Sequence, residues 1–184
     1  MNDPLFPVRS AVIENTACDE DVQLAICRSP YKDSRYQLAQ GENLSAKTIA
    51  CLSVDPSPEV RETLAIQTTD PGTLALLVAD ASPRVRAGAA FNSLTTADQR
   101  RALARDSKSV VRGALVQTVT LDEEDLQLLV RDRAVEVRWW MACSLVTPPH
   151  IREILRSDPD PTVRLQAEGP AKHKWQVDPT DDLH

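Results

Sequence analysis

One motif recurs along this chain at a nearly constant step, and that recurrence limits the possible folds more than any composition figure. Five segments align: Asp55-PSPEVRETLA, Asp80-ASPRVRAGAA, Asp106-SKSVVRGALV, Asp132-RAVEVRWWMA and Asp158-PDPTVRLQAE. Their first residues lie 25, 26, 26 and 26 apart. The same step run backwards lands on Ser29-PYKDSRYQLA and Asp3-PLFPVRSAVI, giving seven copies from residue 3 to about residue 170. With the opening residue counted as zero, position five is Val8, Ser34, Val60, Val85, Val111, Val137 and Val163. Position six is arginine in every copy: Arg9, Arg35, Arg61, Arg86, Arg112, Arg138 and Arg164. Seven of the chain's 16 arginines therefore share one repeat position, far beyond what chance places there.

Each copy reads as a helix of about eleven residues. Position five and the apolar residues at nine and ten share one helical face: Leu64 and Ala65, Ala89 and Ala90, Leu115 and Val116, Met141 and Ala142. Ser57-Pro58, Ser82-Pro83 and Asp160-Pro161 mark starts, with a capping residue followed by a proline whose missing N–H costs nothing in the first turn. A shorter helix, α or 3₁₀, precedes the next Asp and carries an apolar residue three positions before it: Ile26, Leu52, Leu77, Leu103, Leu129 and Leu155. Thr95 with Asp98 and Thr120 with Glu123 have capping-box spacing, and Thr147-Pro148 has the cap-and-proline form.

One such unit cannot bury its own apolar face, so the copies are expected to stack into an all-α solenoid. The domain reading is residues 1–170 as the repeat domain, with copies starting near 3, 29, 55, 80, 106, 132 and 158, and residues 171–184 as a polar tail or cap. Trp175 is a candidate to fold back onto the last copy. The last copy is atypical, with Ala167 and Glu168 at positions nine and ten and Gly169-Pro170 after them.

Composition narrows the class. At 184 residues and 42% hydrophobic content, one domain with a sizeable core is expected, and at 4% aromatics that core must be aliphatic. A net charge of −6 argues against a protein devoted to gripping phosphates. No stretch approaches the ~20 apolar residues of a membrane span. The N-terminus lacks a basic segment followed by an apolar one, so no secretion signal is read. A cytoplasmic location is expected. Cys18, Cys27, Cys51 and Cys143 are irregularly spaced and read as buried thiols, with an intramolecular disulfide unsupported in a reducing compartment.

The pattern D-x-S-P-x-V-R-x-x-L-A, a turn, then L-x-x-L-A-x-D resembles the leucine-rich repeat variant family, itself related to HEAT-like repeats. Ala79-DASPRVRAGAAFNSLTTADQRRALARD carries it best, and the likeness spans nearly the whole chain. The resemblance implies alternating α and 3₁₀ or short α helices in a right-handed superhelix. Some members hold an iron–sulfur cluster on an N-terminal cysteine-rich segment. No cysteine cluster precedes the first copy here, so no cofactor is expected.

Asp55, Asp80, Asp106, Asp132 and Asp158 each precede their arginine by six residues. The arginine row is therefore read as a structural Asp–Arg ladder rather than a phosphate track. Trp139 and Trp140 break the repeat pattern, because positions seven and eight are mostly small or polar elsewhere. Neighbours on a helix point about 100° apart, so one Trp is expected buried and the other exposed at a partner-binding surface. Tyr36, Glu62 and Phe91 are further candidates for that surface. No catalytic or metal-ligating constellation stands out: His150, His173 and His184 are isolated, and Asp122 to Asp125 reads as a helix first-turn cluster. The expected function is a non-enzymatic protein–protein interaction module, monomeric, whose partner presents a basic patch. One specific form is an immunity or antitoxin-like inhibitor of a basic toxin, of bacterial style. A HEAT-like DNA-binding protein or DNA glycosylase using Trp139, Trp140 and Glu136 is the alternative, with nucleic acid disfavoured by the charge.

Overall fold

A computed structural model describes residues 19–118 and 120–169. Every regular element among them is an α-helix. In chain order these are α1 (Glu20–Cys27), α2 (Lys32–Ala39), α3 (Ala46–Ser53), α4 (Pro58–Gln67), α5 (Pro71–Val78), α6 (Pro83–Ala90), α7 (Ala97–Ala104), α8 (Ser109–Thr118), α9 (Glu123–Leu129), α10 (Val135–Cys143), α11 (Pro149–Leu155) and α12 (Pro161–Glu168). Even-numbered helices carry the Val-Arg positions; odd-numbered helices are the connecting segments. The helix expected over the first copy, with Asp3, Val8 and Arg9, lies outside the described residues, as do Cys18, Trp175, His173, His184 and the tail.

The connecting segments are α-helices of seven or eight residues, which resolves the choice between α and 3₁₀. The Val-Arg helices are shorter than the eleven residues expected, at eight to ten.

Two compact units divide the chain between Gln99 and Arg100, within α7. In the first unit α2 packs on α4 and α4 on α6, while α1 packs on α3 and α3 on α5. In the second unit α8 packs on α10 and α10 on α12, and both α10 and α12 touch α11. Within the units, these Val-Arg helices, together with the connecting helices α1, α3 and α5, meet the equivalent helix one repeat away, as a 26-residue step requires when a single copy has no closed core of its own.

The periodic apolar positions form that core. Val60, Val85, Val111, Val137 and Val163 are all fully buried, and so is Ser34, which replaces valine in the second copy. The leucines and isoleucine three residues before each opening Asp are buried as well. Glu168, in contrast, is exposed where the other copies have an apolar residue at position ten.

Helix starts differ from expectation in three places. The capping box before α7 is Thr96 with Gln99, not Thr95 with Asp98: Gln99 N–H donates to Thr96 Oγ1 at 3.3 Å and Thr96 N–H donates to Gln99 Oε1 at 2.8 Å. Thr95 is buried and its hydroxyl donates to the Asn92 carbonyl instead. Asp122, not Thr120, occupies the cap of α9. Helix α11 begins at Pro149, and the Thr147 hydroxyl donates to the Met141 carbonyl at 2.7 Å. The Thr95 and Thr147 hydroxyls each close the preceding loop, a competing local use of Ser and Thr. Two side-chain caps carry no expectation from sequence: Ser45 accepts from Thr48 N–H and Asp70 from Thr73 N–H.

The reading of all cysteines as thiols is corrected. Cys27, ending α1, and Cys51, in α3, form a disulfide with Cα atoms 6.6 Å apart. They are separated by 24 residues, close to one repeat step, so two adjacent connecting helices bring them together. Cys143 is a free buried thiol, and burial pushes its pKa up to about 11, which leaves it unreactive at neutral pH. No helix among the described residues is long and apolar enough to cross a membrane.

Candidate functional site

The repeat arginines decide which charges remain for a partner. Arg112 shows the full arrangement. Its Nε and Nη2 donate to the two carboxylate oxygens of Asp132 at 2.6 and 2.8 Å, and its Nη1 donates to the Asp106 carbonyl at 2.6 Å. The guanidinium therefore clamps the start of its own copy to the start of the next. Arg35 holds Asp55 and the Ser29 carbonyl in the same way, Arg61 holds Asp80 and the Asp55 carbonyl, and Arg138 holds Asp158 and the Asp132 carbonyl. Arg86 and Arg164 likewise donate to the Asp80 and Asp158 carbonyls.

Each aspartate has a second role. Its Oδ1 accepts the N–H two residues on, at 2.7–2.9 Å, from Ser57, Ser82, Lys108, Ala134 and Asp160. That Asx turn sets the chain entering the next helix. Ser29 makes the same turn through its hydroxyl, which takes the Tyr31 N–H at 3.3 Å but offers no bidentate edge. Burial alone would raise the Asp80 and Asp132 carboxyls, but the arginine forks and the turn N–H groups outweigh it and hold both below the usual range. The same pairs hold Arg61, Arg112 and Arg138 above their ordinary value.

Trp139 and Trp140 lie on α10. The expectation of one buried and one exposed ring is corrected: both are half-buried. The rings meet edge to face, with centroids 4.9 Å apart and planes at 79°, a favourable aromatic arrangement. Trp140 reaches the neighbouring copy, where a Cβ on Gly113 of α8 would sit 3.4 Å from its Cδ1. Gly113 thus leaves the room that the indole occupies. Buried Val137, Met141 and Ala142 define the inner face of α10, so Glu136, Trp139 and Trp140 occupy the outer face at positions four, seven and eight.

On the flanking helices of this unit the same face shows Val110 at 59% exposed and Leu165 at 72% exposed. Neither was singled out from sequence; their repeat positions, four and seven, were the available signal. Glu136 is exposed, and its carboxylate makes no hydrogen bond or ion pair among the described residues.

Tyr36, Glu62 and Phe91 belong to the first unit. Tyr36 on α2 is exposed, and Phe91, just after α6, is half-buried. The Glu62 carboxylate on α4 is bound by Arg84, and its backbone carbonyl lies where a Cβ on Gly88 would come within 2.9 Å. His150 is not isolated: its Nε2 lies 3.0 Å from Glu123 Oε2. The Asp122–Asp125 run opens α9, where Arg101 pairs with Asp122 and Arg105 with Glu124 and Asp125. Among the described residues no group of three or more His, Cys, Asp or Glu side chains could hold a metal ion. No protein-family model, curated protein or solved structure matches this chain.

Proposed function

We propose that this protein is a non-enzymatic interaction module that binds a partner protein on the outer face of its Val-Arg helices, centred on Trp139 and Trp140. The observation that carries this reading is the half-exposed, edge-to-face Trp pair, flanked by exposed Val110 and Leu165. Large aromatic side chains left partly open, with a preset geometry, are what interface hot spots are made of. Two further features support a protein over a nucleic acid. The forks of Arg35, Arg61, Arg112 and Arg138 are already filled by carboxylates, and the chain carries six more acidic than basic groups. A leucine-rich repeat variant solenoid, suggested by the 26-residue motif, would present such a face as a continuous surface.

The test is affinity capture from native lysate at physiological salt. Trp139→Ala and the Trp139→Ala, Trp140→Ala pair serve as controls, each checked for an unchanged circular-dichroism spectrum. The reading expects a protein retained by the native chain and lost with the variants. Equal retention by native chain and variants, or recovery of nuclease-sensitive material alone, overturns it.

A further inference from the structure

The repeat itself shows what Glu136 lacks. Position four of α4 is also a glutamate, Glu59. There the carboxylate is met by Lys32 of α2 and by Arg84 of α6, and Arg84 also binds Glu62 at position seven. Lys32 and Arg84 stand at positions three and four of their copies. On the helices that flank α10, those positions are Ser109 and Thr162. So the same carboxylate position has two intramolecular cations in the first unit and two uncharged neighbours in the second. In place of Glu62 and Thr63, α10 presents Trp139 and Trp140, one helical turn from Glu136 and on its face.

We propose that Glu136, Trp139 and Trp140 form a binding site for an arginine or lysine side chain presented by a basic segment of a partner protein. This deepens the interaction reading above and rests on it. The carboxylate supplies the counter-charge that Glu59 supplies to Lys32 and Arg84. The indoles supply π faces over which a cation is attracted, tryptophan being the best of the aromatic side chains for this purpose. Their 79° arrangement turns one ring face away from the other, so the pair offers a corner rather than a flat plate. Glu136 would repel a phosphate backbone here.

The experiment titrates the full-length protein with two nine-residue peptides, one alternating Gly and Arg, the other with citrulline in place of each Arg. The readout is the Trp indole N–H resonances, assigned with Trp139→Phe and Trp140→Phe. The site expects both α10 indole signals to move saturably with the arginine peptide and not with the citrulline peptide. A lysine peptide that binds as well identifies charge, rather than the planar guanidinium, as the recognised feature. Glu136→Gln should weaken binding by about three-fold, the size of one exposed ion pair. Glu42→Gln, an equal charge change at an exposed residue of the first unit, should leave binding unchanged.

Thr162→Arg restores from within the cation that Arg84 provides one unit earlier. It should abolish the indole shifts while the protein melts no lower than the parent. Indole signals that stay still, that respond equally to citrulline, or that ignore both Glu136→Gln and Thr162→Arg overturn the site. A protein captured undiminished by the Thr162→Arg chain but lost by the Trp variants overturns this inference alone and leaves the interaction reading standing.

Discussion

A guanidinium that serves two copies at once is worth more than its own contacts. Arg112 leaves no donor edge idle: one edge takes both Asp132 oxygens and the remaining Nη1 takes the Asp106 carbonyl. Both partners are buried, with 7% of each side chain exposed. Removing one member of a buried pair strands the other charge, so Arg112→Ala should destabilise the protein by about 3–5 kcal/mol. Arg112→Lys should recover little, because an ammonium cannot present the two parallel donors. Urea unfolding checks both; an Arg112→Ala chain as stable as the parent would show that the clamp contributes nothing to the fold. The aspartates set a pH limit in the same way. Folded Asp80 and Asp132 titrate below the ~3.9 of an unfolded aspartate. Between those values the unfolded chain binds more protons, so their contribution is complete above about pH 4 and is lost as pH falls through the folded values. Asp80→Asn and Asp132→Asn together should flatten the acid limb of stability against pH, measured by urea midpoints from pH 7 to pH 3. An unchanged limb would assign the acid sensitivity to other carboxylates.

Helix-on-helix spacing is set by what stands at positions seven and eight. Gly88 on α6 faces the Glu62 backbone so closely that an added Cβ would lie 2.9 Å from the carbonyl oxygen. Backbone cannot swing aside as a side chain can, so Gly88→Ala should force α4 and α6 apart and cost about 1–3 kcal/mol. Gly113 on α8 meets only the Trp140 ring, at an ordinary 3.4 Å. There the gain of about 0.5–1 kcal/mol from replacing a mid-helix glycine should prevail, and Gly113→Ala should melt higher than the parent. Thermal melts of the two variants, moving in opposite directions, check the pair; a shared direction would mean the helix spacing is not set by these contacts. These elements were legible in the sequence to unequal depths. The burial of Val60, Val85, Val111, Val137 and Val163 follows from apolar periodicity, which helix geometry alone dictates. Helix starts at Thr96 and Asp122 fell one or two residues from the expected Thr95 and Thr120: the Thr95 hydroxyl is taken by the Asn92 carbonyl, and at α9 aspartate is at least as good a cap as threonine. The Cys27–Cys51 disulfide depends on the phase of two short helices one repeat apart, which spacing in sequence does not encode. The Trp pair stood out as a break in pattern, but its edge-to-face packing, which leaves both rings half-buried, needed coordinates.

Stability in a chain whose copies touch their sequence neighbours is expected to be a sum of local terms. Within each described unit, contacts run from one Val-Arg helix to the next, and in the first unit also from one connecting helix to the next. The Asp–Arg clamps span 19 or 20 residues and reach no further. Nothing in that arrangement forces a lesion near Asp158 to be felt near Asp55. The boundary between Gln99 and Arg100 also divides the contact network into two compact parts. A loss of about 3–5 kcal/mol at one clamp is comparable to the whole stability of many domains, typically about 5–15 kcal/mol. Arg138→Ala, which frees the buried Asp158 carboxylate, should therefore open the second unit first. Hydrogen exchange at neutral pH should show amides of α10, α11 and α12 losing protection while those of α2, α3 and α4 keep theirs. Arg35→Ala should produce the reverse pattern, because its clamp to Asp55 lies in the first unit. Equal loss of protection throughout the chain in both variants would mean that the two parts unfold as one cooperative body, and that the clamps act on the whole molecule rather than on their neighbours.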